Sequence, residues 1–149
     1  MPIGEFCNRD TVITNRNDTV GEAAKLMRQH HVGDVIVVEE RDGMRVPVGI
    51  VTDRDLVVEI MATELDPAVI TVGDIMEPEL VTVKESVGVF EAIQYMRSKT
   101  VRRLPVVDEN GGLVGILTLD DLLELLSEEL LAVSRLVSYQ PQREARQRH

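Results

Sequence analysis

Apolar positions along the chain come in two spacings. Val20, Ala23, Ala24 and Met27 recur at the spacing of one helix face, and Thr19 with Glu22 three residues on forms a capping-box signature, so a helix is predicted from near Thr19. The continuous run Val35 to Val38, rich in valine and isoleucine, reads as a strand. Arg41-Asp42-Gly43 reads as a turn, and Val48 to Val51 completes a hairpin. A short β-like stretch, Val12 to Thr14, precedes the helix, and a second helix is predicted to open at Thr52. The order β-α-β-β-α then recurs. Leu80 to Val83 leads into a helix with Val89, Ala92, Ile93 and Met96 on one face. The run Leu104 to Val107, the turn Glu109-Asn110-Gly111-Gly112, the run Leu113 to Leu117 and a helix from Thr118 follow.

The two copies align residue by residue. At a shift of 69, positions 4–38 carry ten identities: Gly4, Val12, Val20, Glu22, Ala23, Met27, Arg28, Val32, Val37 and Val38. The shift then becomes 66, which places Val48-Gly49-Ile50 on Val114-Gly115-Ile116, Thr52 on Thr118 and Asp55-Leu56 on Asp121-Leu122. One such unit cannot bury both faces of so small a sheet, whereas two packed sheet to sheet can. The expected fold is therefore mixed α/β of the α+β kind, two β-α-β-β-α repeats related by a pseudo-two-fold axis, with an extended C-terminal helix.

Asp66-Pro67 is expected to end the last helix of the first unit, because proline disfavours a helical residue before it. The divisions that follow are 1–66 for the first repeat, 67–72 for a linker, and 73–137 for the second repeat with its long helix. Residues 138–149 are expected to be a disordered polar tail. Leu122, Leu123, Leu125, Leu126, Leu130, Leu131, Val133, Leu136 and Val137 give the C-terminal helix a wide apolar face, suited either to its own domain or to a partner helix.

Composition narrows the function. The chain has 149 residues, room for one domain or two small halves, and a hydrophobic fraction of 44%, too high for disorder. Sixteen Lys and Arg against 26 Asp and Glu give a net charge of −10, and only two Tyr and two Phe are present. That balance argues against a nucleic-acid binder, which needs basic patches or stacking aromatics. One cysteine, Cys7, cannot form an internal disulfide and fits a reducing compartment. The apolar stretch from Leu122 to Val137 is broken by Glu124, Glu128, Glu129 and Arg135, so no membrane span is expected. The start lacks an apolar signal core, and a cytoplasmic location is expected. Three arginines and one glutamate in 138–149 leave −12 on the rest of the chain, so any phosphate must be held by local features.

The motif with chemistry in it occurs twice, as Gly49-Ile50-Val51-Thr52-Asp53-Arg54-Asp55 and Gly115-Ile116-Leu117-Thr118-Leu119-Asp120-Asp121. In each, a strand passes through Thr into a helix, with Asp three residues later. That spacing makes a reciprocal cap. It also makes a nucleotide corner. A helix start attracts phosphate, the Thr hydroxyl adds a hydrogen bond, and a carboxylate has two acceptor oxygens for the two hydroxyls of a ribose.

Two β-α-β-β-α units, each closing in G-[IV]-[VL]-T-x-x-D, resemble a pair of cystathionine β-synthase (CBS) domains, the arrangement called a Bateman module. The stretch from Val101 to Asp108, with Arg102, Arg103, Leu104 and Pro105, is typical of that family, and the likeness runs from residue 4 to about 126. The resemblance implies a regulatory module without catalysis. It would bind adenosine-containing ligands in clefts between the repeats: AMP, ADP or ATP, with NAD-type molecules or S-adenosylmethionine as further candidates. No cofactor is required, and a homodimer and a regulated partner protein are implied. Carried over by position, Asp55 and Asp121 would hold ribose and Thr52 and Thr118 would meet phosphate. Adenine would lie against the backbone of Val12, Ile13 and Thr14 with Val35 and Ile36, and of Val81, Thr82 and Val83 with Leu104 and Pro105. Arg54, Arg102 and Arg103 would supply the positive charge. The two sites differ, since Asp34-Val35-Ile36 stands where the second repeat has Arg103-Leu104-Pro105, and Asp120 where the first has Arg54.

Weaker candidates are His30-His31, adjacent and so about 100° apart on a helix, which suits a polar helix end or a phosphate contact from His31 better than a metal site. Cys7 aligns with Met76 and reads as a small core residue. The acids Asp120, Asp121, Glu124, Glu128 and Glu129 read as a solvated helix face. Two rival functions remain at this level: a ligand-independent interaction or dimerisation module whose T-x-x-D motifs are only caps, and a nucleotide-processing enzyme, for which the sequence offers no nucleophile–His pair.

Overall fold

The computed structural model describes residues 1–77 and 79–147, the last nine of these as helical backbone only. The described chain divides into two compact units, one ending at Leu117 and one beginning at Thr118.

The first unit holds the first repeat and the second repeat up to Leu117. Its elements are a 3-10 turn at Ile3–Glu5, β1 (Ile13–Thr14), α1 (Val20–His30), β2 (Asp34–Arg41), β3 (Met44–Thr52) and α2 (Asp53–Asp55). They are followed by a π-helical segment at Leu56–Met61, α3 (Val72–Ile75), β4 (Val83–Lys84), α4 (Val89–Lys99), β5 (Arg103–Val107) and β6 (Leu113–Thr118). Two three-stranded sheets result, in the orders β1-β2-β3 and β4-β5-β6. The parallel ladders match through the repeat: Thr14 pairs with Val37, and Val83 with Val106. The β2–β3 hairpin closes over Asp42 and Gly43, whose φ values of +51° and +79° suit the twist of the flanking strands.

Strand alternation builds two cores from one sheet. Val35, Val37 and Val51 face the helices and pack with Val20, Ala23 and Met27 of α1. Ile36 and Val38, one residue out of phase, face the other sheet and meet Ile116, with Ile13, Ile50 and Leu113 around them. The expected sheet-to-sheet arrangement of the two repeats is therefore present. In α4, Val89, Ala92 and Met96 are buried at the positions equivalent to Val20, Ala23 and Met27. α1 starts with the predicted Thr19–Glu22 capping box, and both helices end in a left-handed residue, His31 and Thr100, each at φ +54°.

The structure corrects several boundaries. The strand predicted at Leu80–Val83 lies at Val83–Lys84, since its parallel pairing starts only at Val106, beyond Pro105, which has no N–H to donate. The helix opening at Thr52 turns π-helical at Leu56 and stops at Met61, before the predicted end at Asp66-Pro67. Its last turns bond five residues back, as in Ala62 N–H to Val57 O (2.8 Å), and Glu64 then turns left-handed at φ +59°. Part of the 67–72 linker is a helix start: Thr71 and Asp74 cap α3.

The repeats also exchange their leading arms. Gly4 N–H donates to Glu85 O (3.0 Å), Ile3 N–H to Val87 O (2.8 Å), and Asn8 exchanges two bonds with Ile116 (2.9 Å each), so the first arm packs on the second repeat. Conversely, Gly73 N–H donates to Arg16 O (3.0 Å) and Val72 N–H to Asp18 O (2.8 Å). Ile3 and Val72, equivalent at the shift of 69, are both fully buried. A repeat in sequence is thus not a unit of packing.

The second unit, described by itself, is α5 (Leu119–Gln147). It continues beyond Val137, where the sequence pattern ends it, into the stretch expected as a tail; Arg148 and His149 lie outside the described residues. No helix among the described residues is long and apolar enough to cross a membrane.

Candidate functional site

The first T-x-x-D corner is built by the end of β3. Thr52 has extended backbone (φ −108°, ψ 163°), which turns the chain into α2 and makes it the cap. Asp55 N–H donates to Thr52 Oγ1 (3.2 Å), and Thr52 N–H donates to Asp55 Oδ2 (2.9 Å). Both side chains are half-buried and Arg54 beside them is exposed. The second corner is less closed. Asp121 N–H donates to Thr118 Oγ1 (3.1 Å), but among the described residues no return bond joins the Asp121 carboxylate to the Thr118 amide. Capping and ligand binding are compatible here. A diol bound by both oxygens of Asp55 would share Oδ2 with the Thr52 amide, since each carboxylate oxygen accepts more than one hydrogen bond, whereas at Asp121 no such amide shares the carboxylate.

Other predicted residues gather beside the first corner. β2 begins at Asp34, which lies opposite Thr52 in the antiparallel ladder, and Asp53 N–H donates to Gly33 O (3.0 Å). Arg103, at the start of β5, donates from Nε to Asp34 Oδ2 (2.9 Å). Asp34 and Arg103 are equivalent positions of the two repeats, so this ion pair joins a residue to its own counterpart, as happens near a pseudo-two-fold axis. It neutralises the acid that sequence reasoning set against phosphate, and engages one of the expected cations. The pairing was missed; its signal was opposite charges at one repeat position. Arg102 is exposed.

The strand positions assigned to adenine offer backbone rather than side chain. Val35, Ile36, Leu104 and Pro105 have side chains buried to within 2% of full burial, and Val83 is buried. Ile13 and Thr82 are half-buried. Thr14 is buried, with its hydroxyl donating to Asp18 Oδ2 (2.6 Å), so it braces its own loop. A cavity of about 730 Å³ is lined by Ile13, Thr14, Arg16, Asp18, Glu39 and Arg45 among others; it lies at the hairpin end of the first sheet, away from Thr52. His31 is the left-handed cap of α1. Cys7 is half-buried and packs against Gly115, whose added Cβ would lie 2.8 Å from its Sγ. Among the described residues, no group of three His, Cys, Asp or Glu could hold a metal ion.

The paired sheets and doubled corner define a tandem-repeat module. The CBS-domain family model matches residues 3–62 and 72–128, and the chain belongs to that family. An uncharacterised protein of Methanopyrus kandleri is 40% identical over 125 residues, which are 84% of this chain and 62% of that protein; this chain thus spans under two thirds of that relative. Among solved structures, a CBS domain protein from Pyrobaculum aerophilum complexed with AMP is 28% identical, with a TM-score of 0.72 over 85% of this chain and 99% of that one. A CBS domain pair in complex with 5′-methylthioadenosine and S-adenosyl-L-methionine is 25% identical, with a TM-score of 0.72 and the same two coverages.

Proposed function

We propose that this chain is a non-catalytic regulatory module that binds adenosine-containing ligands of the AMP, ADP or ATP class and relays their presence by a change of conformation. The observation that carries it is the T-x-x-D corner found at the same place in both repeats of a CBS pair, with solved relatives that hold AMP or S-adenosylmethionine. Asp55 and Asp121 take the ribose hydroxyls, Thr52 and Thr118 the phosphate, and the backbone of Val12–Thr14 with Val35–Ile36, and of Val81–Val83 with Leu104–Pro105, the adenine edge. Arg54 favours a phosphate at the first corner and Asp120 disfavours one at the second. The working form is a cytoplasmic homodimer that acts on a regulated protein. Ligand shifts it only by binding one arrangement better than another.

A thermal-shift panel of AMP, ADP, ATP, NAD, S-adenosylmethionine and cyclic dinucleotides tests this. A ligand at 100 times its dissociation constant adds about 2.7 kcal/mol. Calorimetry should then show AMP binding reduced by Asp55→Ala and by Asp121→Ala to different extents. If no adenosyl compound raises the melting temperature, the corners are caps alone, a reading the complete Thr52–Asp55 box favours. Turnover of ATP or AMP that depends on either Asp would make the chain an enzyme.

A further inference from the structure

In the first sheet β2 outruns its neighbour. Ile36 N–H donates to Val12 O (2.9 Å), and β1 ends at Thr14, paired with Val37, while β2 continues to Arg41. One step further along the same edge, strand alternation turns the Val38 carbonyl and the Glu40 amide outward. Among the described residues, no loop backbone group bonds to either. The second repeat differs at this point. Glu85 N–H, at the position equivalent to Arg16, donates to Val107 O (2.8 Å), the counterpart of Val38 O, and β5 stops there. The longer first hairpin thus leaves a free edge that the T-x-x-D corners do not use. The cavity of about 730 Å³ lies along this edge, with the 15–18 loop and Arg45 also lining it, and its size suits a small molecule. Charge marks the same place. Glu39 is taken by Arg16 (2.7 Å) and Arg41 (2.8 Å). Glu40 and Arg45 stand opposite each other in the hairpin, and neither takes part in an ion pair among the described residues.

We propose that this edge binds a free α-amino acid with a polar side chain, apart from the T-x-x-D corners and independently of what they bind. The Val38 carbonyl and the Glu40 amide are the acceptor and donor that one further residue of β1 would use. A free amino acid in that register donates from its ammonium to Val38 O and accepts at its carboxylate from Glu40 N–H. Its two charges, which a residue within a chain lacks, meet the two open ones. The Arg45 guanidinium takes the carboxylate and the Glu40 carboxylate takes the ammonium, and both bonds are charge-assisted. The edge favours a single residue over a peptide strand, because Asp42 already belongs to the turn and only one such carbonyl–amide pair is free. Side chains two apart along a strand share a face, so the bound side chain lies on the Thr14 face, beside the Glu39–Arg16 pair. That neighbourhood selects a polar side chain, and the cavity leaves room for it and for water.

The test is a thermal-shift panel of the L-amino acids at millimolar concentration on the full chain, with calorimetry of those that raise the melting temperature. At least one with a polar side chain should bind. Its amide, which lacks the carboxylate, and its N-acetyl form, which lacks the ammonium, should each bind about tenfold more weakly, as the loss of a charge-assisted bond implies. Arg45→Gln and Glu40→Gln, both at exposed positions, should weaken it by about the same factor. Amide NMR of the natural sequence reads the site without a variant: the Glu40 resonance should move on titration and that of Asp121 should not. No stabilisation by any amino acid, binding of apolar ones alone, affinity unchanged in both glutamine variants, or a Glu40 resonance that stays in place overturns the inference. So does binding abolished by Asp55→Ala or Asp121→Ala, which would put the amino acid in the corners. Thermal shift by AMP in the Arg45→Gln variant reads the nucleotide proposal separately.

Discussion

Gly49 and Gly115 hold the same position in the two repeats, and each lies under the arm of the other repeat, but what covers them differs. A Cβ on Gly49 would come within 2.6 Å of Met76 Sδ, which can swing away, and 3.1 Å of Met76 Cβ, which has to give by only a few tenths of an ångström. A Cβ on Gly115 would come within 2.6 Å of the backbone oxygen of Asn8 and 2.8 Å of Cys7 Sγ. Asn8 is there because it exchanges two hydrogen bonds with Ile116, so it cannot retreat without breaking the contact that holds the arm. Equal sequence positions therefore carry unequal structural demands. The second repeat grips its visiting arm by backbone, whereas the first accommodates a thioether over its glycine.

The sharpest way to break that comparison is to fill both positions. Gly115→Ala should cost about 2–3 kcal/mol and Gly49→Ala about 1 kcal/mol or less, since overpacking against backbone cannot be relieved by a rotamer change. Urea denaturation of the two variants would show it. Equal losses would mean that the arms are gripped alike.

The loop after β1 offers the next contrast. In the first repeat Asp18 Oδ2 accepts from Thr14 Oγ1 (2.6 Å) and from Asn15 N–H (3.0 Å), and these two bonds, the hydroxyl first, hold its carboxyl below the usual aspartate range. The second repeat has Val87 there. Asp18→Ala should cost about 1 kcal/mol at neutral pH. Because the folded pKa is depressed, the stabilisation is present above the ordinary aspartate value and is lost as pH falls through the folded value. The gap in melting temperature between natural protein and variant should thus be constant from neutral to mildly acidic pH and close below the ordinary aspartate range. A gap that persists there would assign the effect to packing.

Element order, the sheet-on-sheet core and the Thr19 cap were legible in the sequence because each rests on local spacing. Val35 and Val37 against Ile36 and Val38 already encode two faces. The arm exchange was not legible. Aligning Ile3 with Val72 shows that both are alike, yet says nothing of which repeat either packs on. The π turn after Asp55 was hidden for another reason. Its apolar residues suit an ordinary helix, and only the bonds five residues back distinguish it. At the candidate corners, the reciprocal bonds between Thr52 and Asp55 were legible as a motif. The Asp34–Arg103 pair was not, because it depends on where the pseudo-axis passes.

That pair supplies a smaller test of the inequivalence of the repeats. Asp34→Asn should free the Arg103 guanidinium from its 2.9 Å partner and tighten AMP binding by a few fold, within the ~1 kcal/mol that a part-exposed ion pair is worth. Titration calorimetry at two salt concentrations reads it, and the gain should shrink at the higher one. Unchanged affinity would place Arg103 outside the ligand's reach.

The smallest expected effect concerns the starts of α1 and α4. Thr19 caps α1 with both bonds of its box: Glu22 N–H to Thr19 Oγ1 (3.1 Å) and Thr19 N–H to Glu22 Oε2 (3.2 Å). At the equivalent place α4 has Gly88, with no side-chain cap, although Glu91 stands ready three residues on. Gly88 has the extended backbone of a capping residue, φ −73° and ψ 157°, and a Cβ there would meet nothing closer than Glu91 Oε1 at 3.9 Å. Serine can therefore enter without strain and complete S-x-x-E. A serine cap exceeds glycine by only a few tenths of a kcal/mol, so Gly88→Ser should raise the denaturation midpoint slightly, leaving its slope unchanged. A loss instead would show that the Pro2–Gly88 bridge to the first arm leaves no freedom for the cap. The arm exchange, rather than the helix start, would then set what residue 88 must be.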